Sequence, residues 1–208
     1  MIGFLDNDIV LKLCIFDLLE ESIVTLNLRS SDIRVLKTAE FVFKRSRSVL
    51  NSCPETSRER AIAFVKNCPM VSEENSDEFE LLQTIDGIDI GEARLLAATQ
   101  GVAAFVLLTG DKHCMASLGA APELESIRQR LQGRVICLEQ VVLLLIKRLG
   151  FEIVKARVLP TIGYDKSLQS CFGSGKFAIE ANVVASLEGY IEALRQLAPG
   201  ILADMNQF

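Results

Sequence analysis

The sequence predicts an α/β fold of three layers, a mainly parallel central sheet flanked by helices, followed by a C-terminal extension. Three observations carry this. Residues 104–108 are apolar at every position, which suits a strand covered on both faces. Short apolar runs alternate with helical patterns over residues 1–150, the order that gives parallel strands joined by helical crossovers. Acids fall where strands hand over to helices, at Asp6, Glu40, Glu92 and Asp111. Parallel sheets carry their chemistry at the C-terminal ends of their strands.

Residues 2–5 form a short apolar run that reads as a buried strand ending at Asp6. A helix follows from about Asp8, with Ile9, Leu13, Phe16 and Leu19 on one stripe. Asp8 is placed to be its N-cap. A polar loop at 27–32 leads to a strand at 33–36, and a second helix begins near Thr38 with Glu40 in its first turn. The outer face of that helix is basic, at Lys44, Arg45 and Arg47. A solvated face is the bland reading, and a phosphate-binding one the sharp reading. Another helix spans 57–65, bracketed by Pro54 and Pro69. The acidic run at 71–80 reads as a solvated loop and helix face.

Residues 89–118 read as helix, short turn, buried strand, sharp turn and helix, with Glu92 early in the first helix and Asp111 opening the second. A helix at 124–131 then points Arg128 and Arg130 outward, and Gly133 ends it. The next strand is 134–138, and an apolar helix at 139–149 stops at Gly150. Residues 151–159 fit a helix or a strand equally. A long helix at 178–197 has apolar members Ile179, Val183, Leu187, Ile191 and Leu194. This divides the chain into residues 1–150 as the main domain and 151–208 as a largely helical extension. The extension packs on the core or on a partner, a second copy of the chain included.

The composition narrows the function. The chain has 208 residues and is 50% hydrophobic, which excludes disorder and leaves room for a core. A net charge of −5 argues against holding nucleic acid by bulk charge. Six cysteines and a single His form no CxxC or CxH pair, so zinc spacing is absent. Cysteines set in apolar patterns read as reduced core residues, which points to a cytoplasmic protein. The opening MIGFLDND reaches an acidic pair before an apolar signal could form. The densest apolar run, 141–146, is far short of a membrane span.

Acids crowded at one end of a parallel sheet would repel each other unless cations neutralised them. Mg²⁺ or Mn²⁺ takes such hard oxygens and keeps several waters. Two ions about 4 Å apart can activate a water and stabilise the leaving oxygen of a phosphodiester. Each acid also has a structural alibi. Asp89 and Glu92 match a capping box. Asp111 can be an N-cap, and Glu40 an ordinary solvated residue. Asp6 ends a strand and, with Asp8 as the cap, lacks such an alibi. Asp86 and Asp89 read as turn residues. Thr109 could orient a metal-bound water or merely end a strand, Lys112 could meet a phosphate or solvent, and His113 reads as an exposed helix residue.

The segments FLDNDIVLKL, RVLKTAEFVFKR and DIGEARLLAATQGVAAFVLLTGDK, in that order, resemble the PIN-domain nucleases. That resemblance covers residues 1–150 and matches the family's four acid positions with Asp6, Glu40, Glu92 and Asp111. Many members have Asp at the third position, where this chain has Glu92. Thr109 matches the Ser or Thr often found before the last Asp. Asp8 stands where Asn or Ser is usual, so it either adds a metal contact or caps the helix. The resemblance implies a Mg²⁺- or Mn²⁺-dependent ribonuclease acting on single-stranded RNA, with Asp6, Glu92 and Asp111 holding metal. Many bacterial members are toxins held by a small antitoxin protein.

Two other readings compete. Asp6-Asn7-Asp8-Ile9-Val10 fits the DxDx[TV] opening of the haloacid dehalogenase-like phosphatases. Their later acidic pair is incomplete here, because Asp111 is followed by Lys-His-Cys-Met. A PIN-like chain can also serve as an inactive binding scaffold, which the net negative charge favours and the four filled acid positions oppose.

Overall fold

The computed structural model describes residues 1–72 and 76–208. Glu73 and Glu74, part of the acidic run, lie outside the described residues. Four strands form the sheet among the described residues: β1 (Ile2–Leu5), β2 (Ile33–Arg34), β3 (Phe105–Leu108) and β4 (Val135–Ile136), in the order β2-β1-β3-β4. Every pairing is parallel, so the sheet is wholly rather than mainly parallel. β1 and β3 run in register from Ile2 opposite Phe105 to Leu5 opposite Leu108. Both therefore end at the same level. All of β3 is buried, as its unbroken apolar run requires of a strand covered on both faces. Helices cover the sheet, which makes the fold three-layered α/β.

The first half of the chain supplies α1 (Asn7–Ile15), α2 (Leu19–Thr25), α3 (Ala39–Arg45), α4 (Arg47–Ser52) and α5 (Glu55–Lys66). The stripe from Ile9 to Leu19 predicts one helix, but two form. Asp17 lies between them with φ 56°, the left-handed backbone that ends a helix. Its carbonyl accepts a hydrogen bond from Arg157 at 2.8 Å, and its carboxylate pairs with Arg60. Helix periodicity does not register such a single-residue break. Next come α6 (Asp77–Gln83), α7 (Ile90–Ala98), α8 (Lys112–Ala120) and α9 (Glu125–Leu131).

Arg128 and Arg130 are not simply outward. Arg128 Nη1 donates to the carbonyls of Leu118 at 3.0 Å and Ala121 at 2.5 Å, which satisfies the end of α8. Arg130 pairs with Glu78 on α6 and donates to Thr99 Oγ1 at 3.0 Å. The spacing marks a polar face, but long arginines on that face fold back to tie neighbouring helices together.

The remaining helices are α10 (Leu138–Leu149), α11 (Phe151–Val158), α12 (Lys166–Cys171) and α13 (Glu180–Leu197). Gly150, at φ 94°, ends α10, and the ambiguous segment after it is helical. Residues from 151 onward belong to the same hydrophobic core as β1 and β3. The buried stripe of α13 (Val183, Leu187, Ile191, Leu194) is covered by the chain itself, through packing on α8, α10 and α12. The chain then runs beside β4, where Ala203 N–H donates to Val135 O at 2.8 Å and Leu202 bridges Val135 in parallel. Among the described residues, no helix is long and apolar enough to cross a membrane.

Gly119 shows how closely α8 and α13 approach. A Cβ there would sit 1.9 Å from Leu197 O. Gly→Ala in a helix interior ordinarily stabilises by about 1 kcal/mol. Gly119→Ala should instead destabilise by about 2 kcal/mol, because a backbone carbonyl must give way. Urea unfolding reads the difference. An unchanged or raised midpoint would mean the two helices are not so closely packed.

Candidate active site

The site begins where β1 stops. The Asp6 N–H donates to Leu108 O at 3.0 Å, which fixes the end of β1 beside the end of β3. Asp6 is itself the N-cap of α1, with Oδ1 accepting the Asn7 N–H at 2.7 Å. This corrects the assignment of the cap to Asp8. Asp8 lies in the first turn of α1, where Lys12 pairs with its carboxylate at 2.7 Å, and Lys12 also pairs with Asp165 at 2.8 Å. Asp6 therefore has the alibi that the sequence denied it.

Past β3, Thr109 is buried and its Oγ1 accepts the Asp111 N–H at 3.3 Å, so it holds the turn. Asp111 caps α8, with Oδ1 accepting from His113 N–H at 2.7 Å and Cys114 N–H at 3.0 Å. The third contribution comes from α7. Asp89 is its N-cap, and Glu92 completes a reciprocal capping box, both bonds at 2.8 Å.

Capping accounts for where these acids sit, but not for their electrostatics. A carboxylate that only accepts N–H bonds at a helix start is held below its usual pKa. Burial instead pushes Asp6 up to about 7, helped by the charges of Asp8 and Asp89. Burial likewise pushes Glu92 up to about 8. The Asp89 N–H opposes that rise, and the charges of Asp111, Asp89 and Asp6 add to it. These acids share one electrostatic neighbourhood, and its hydrogen bonds do not neutralise it.

They also share a cleft of about 650 Å³, open at the C-terminal end of the sheet. Asp6, Asp8, Asp89, Glu92 and Asp111 line it, together with Thr38, Val42 and Arg94. Asp89 is the member that sequence reasoning missed by assigning it to a turn. The sequence also paired it with Glu92 in a capping box, which the structure bears out, but a cap does not say that the residue lines a cleft.

Glu40 does not join them. It is absent from the cleft lining; Thr38 and Val42 of α3 face the cleft in its place. Its carboxylate pairs with Lys44 one turn on, and with Lys66 at 3.5 Å. The Lys44 ammonium holds it below the usual carboxylate range. Lys112 lies outside this cleft too, 3.9 Å from buried Glu139 and 4.4 Å over the Tyr190 ring. His113 is exposed, as expected.

The cleft's donors are hard oxygens, the chemistry Mg²⁺ and Mn²⁺ prefer. Glu92 uses Oε2 and Asp111 uses Oδ1 for its hydrogen bonds, which leaves Oε1 and Oδ2 for a ligand. Among the described residues, no three Asp, Glu, His or Cys side chains form a ready-made ligand group. Comparisons with family models, curated proteins and solved structures find no match to this chain.

Proposed function

We propose that the protein is a divalent-metal-dependent nuclease that hydrolyses phosphodiester bonds of single-stranded RNA, in the manner of the PIN-domain enzymes it resembles. One observation carries the reading. Asp6, Glu92 and Asp111 come from three separate elements and meet in one cleft at the C-terminal end of a parallel sheet. Burial raises two of them to near neutral pKa, helped by Asp8 and Asp89 at Asp6 and by Asp111, Asp89 and Asp6 at Glu92. A fold gains no stability from such crowding, and strained clusters of this kind concentrate at functional sites.

In this reading carboxylates among Asp6, Glu92 and Asp111 would hold Mg²⁺ or Mn²⁺, with waters completing the coordination. The metal would neutralise charge developing on the phosphate and lower the pKa of an attacking water. The chain's own residues do the positioning. The β1–β3 register ends both strands at one level, Leu5 opposite Leu108, and Thr109 fixes the turn that delivers Asp111. The capping box holds the Glu92 rotamer through Oε2, so that Oε1 stays directed to a ligand. Lys12 binds Asp8, which limits the negative charge the cleft presents to a phosphate. The six cysteines are free and buried, which supports a reducing, cytoplasmic location.

An inactive binding scaffold is the second reading. The ion pairs of Glu40 outside the cleft favour it, as do the caps that occupy Asp6, Asp89, Glu92 and Asp111. The readings part in one experiment, incubation of end-labelled single-stranded RNA with the protein in Mg²⁺, Mn²⁺ or EDTA. The nuclease cleaves only with metal, whereas the scaffold leaves the RNA intact under all three conditions. A phosphatase built on Asp6 and Asp8 would instead release phosphate from a small phosphomonoester.

A further inference from the structure

A second cleft, of about 460 Å³, adjoins the carboxylate cleft, and Asp8 and Asp111 belong to the walls of both. The far wall comes from the C-terminal part of the chain, at Tyr164, Asp165 and Lys166. The two acids that belong to this second cleft alone, Asp165 and Glu139, are partnered within the protein. Asp165 is buried. It accepts Ser167 Oγ at 2.6 Å and Leu168 N–H at 2.8 Å, and pairs with Lys12 at 2.8 Å. Glu139 is buried and faces Lys112.

What the cleft offers a ligand is therefore different in kind from the first. Lys166 is exposed and forms no ion pair among the described residues. Tyr164 is 40% exposed on the same wall. An ammonium and an aromatic face on one wall suit a phosphate and a base of a flexible strand. Single-stranded nucleic acids are held in this way, by cationic grooves with stacking platforms. An enzyme that cuts within a strand must also hold that strand on both sides of the scissile bond. Two clefts meeting at Asp111 provide both sides.

We infer that residues after 150 carry the second half of a binding track for a single-stranded polynucleotide, with Tyr164 stacking on a base and Lys166 meeting a phosphate. The inference rests on the nuclease reading for its choice of ligand. Neither residue lines the first cleft, so both act in binding and not in bond cleavage.

The test uses the full chain and its Tyr164→Ala/Lys166→Glu variant with oligouridylates of about twelve and about three nucleotides. Cleavage in Mn²⁺ gives KM and kcat, and fluorescence anisotropy in Ca²⁺ gives affinity. Both residues are solvent-facing, so the variant should melt as the parent does. The variant should raise KM for the long oligomer about fivefold or more. Its kcat should stay within about twofold, and its KM for the short oligomer should be unchanged. The salt dependence of binding should weaken by about one counterion. Equal KM values for parent and variant on the long oligomer would overturn the track. So would equal losses on both lengths, which would indicate a structural role. A parent that binds but does not cleave, with binding weakened in the variant, keeps the track and removes the nuclease. A parent that neither binds nor cleaves removes both.

Discussion

Asp6→Asn and Asp111→Asn should each lower Mn²⁺-dependent cleavage of single-stranded RNA by about a thousandfold. The magnitude follows from the role. A carboxylate that holds the metal contributes through charge that an amide lacks, and metal stabilisation of a phosphoryl transition state is worth several kcal/mol. The substitutions are chosen to leave the fold alone. Asp6 Oδ1 accepts one backbone N–H and Asp111 Oδ1 accepts two. Asn is as good an N-cap as Asp, because its carbonyl oxygen accepts the same bonds. The caps survive while the charge goes. Glu40→Gln supplies the contrast. Glu40 sits outside the cleft on Lys44 and Lys66, so its loss should change kcat by less than about threefold. Cleavage by both Asn variants at the parental rate would trace the activity to a contaminating nuclease or to another site.

Asp6→Asn/Glu92→Gln should stabilise the protein at alkaline pH by on the order of 3 kcal/mol. In the unfolded chain these carboxyls ionise near 3.8 and 4.5; in the fold they do so near 7 and 8. Between those limits the folded state keeps protons that the unfolded state has lost. Stability therefore falls as pH rises from about 4 to about 8, and changes little from this source on either side. The amides cannot ionise, so the double variant escapes the fall. Gln at residue 92 also preserves the capping box, since the motif accepts Glu or Gln there. Urea unfolding at about pH 5 and about pH 8.5 should show a pH-dependent parent and a flatter variant. Added Mg²⁺ should narrow the gap by binding only the parent's folded state. A parent as stable at the higher pH as at the lower would mean that the cleft acids are not crowded.

The sheet was legible because its signals are local. The apolar runs at β1 and β3 end directly at Asp6 and beside Thr109, and strand ends are where a parallel fold collects its acids. That rule reaches Asp6 and Asp111; Glu92 opens a helix that follows α6 rather than a strand, and its place in the site came from the resemblance to the PIN-domain nucleases. Glu40 failed because its helix, unlike a strand end, presents several faces. Its rotation about α3 depends on which side packs, and Val42 and Thr38 face the cleft while Glu40 meets Lys44. The identity of the α1 cap was a one-residue question between Asp6 and Asp8, decided by a backbone bond from Asp6 to Leu108 that no local pattern encodes. Asp89 was hidden by its own adequacy as a turn residue. The C-terminal wall of the second cleft was not legible at all. Lys12 reaches Asp165 across more than half the chain, and contacts of that range leave no periodicity.

Crystals of the protein grown with Mn²⁺ and measured at the manganese absorption edge address the central claim most directly. The account predicts an anomalous peak in the first cleft, within about 2.3 Å of a carboxylate oxygen of Asp6, Glu92 or Asp111 and completed by waters. A cleft with no peak at saturating Mn²⁺, its carboxylates bonded only to their helix-start N–H groups, would contradict it and leave the acids as caps.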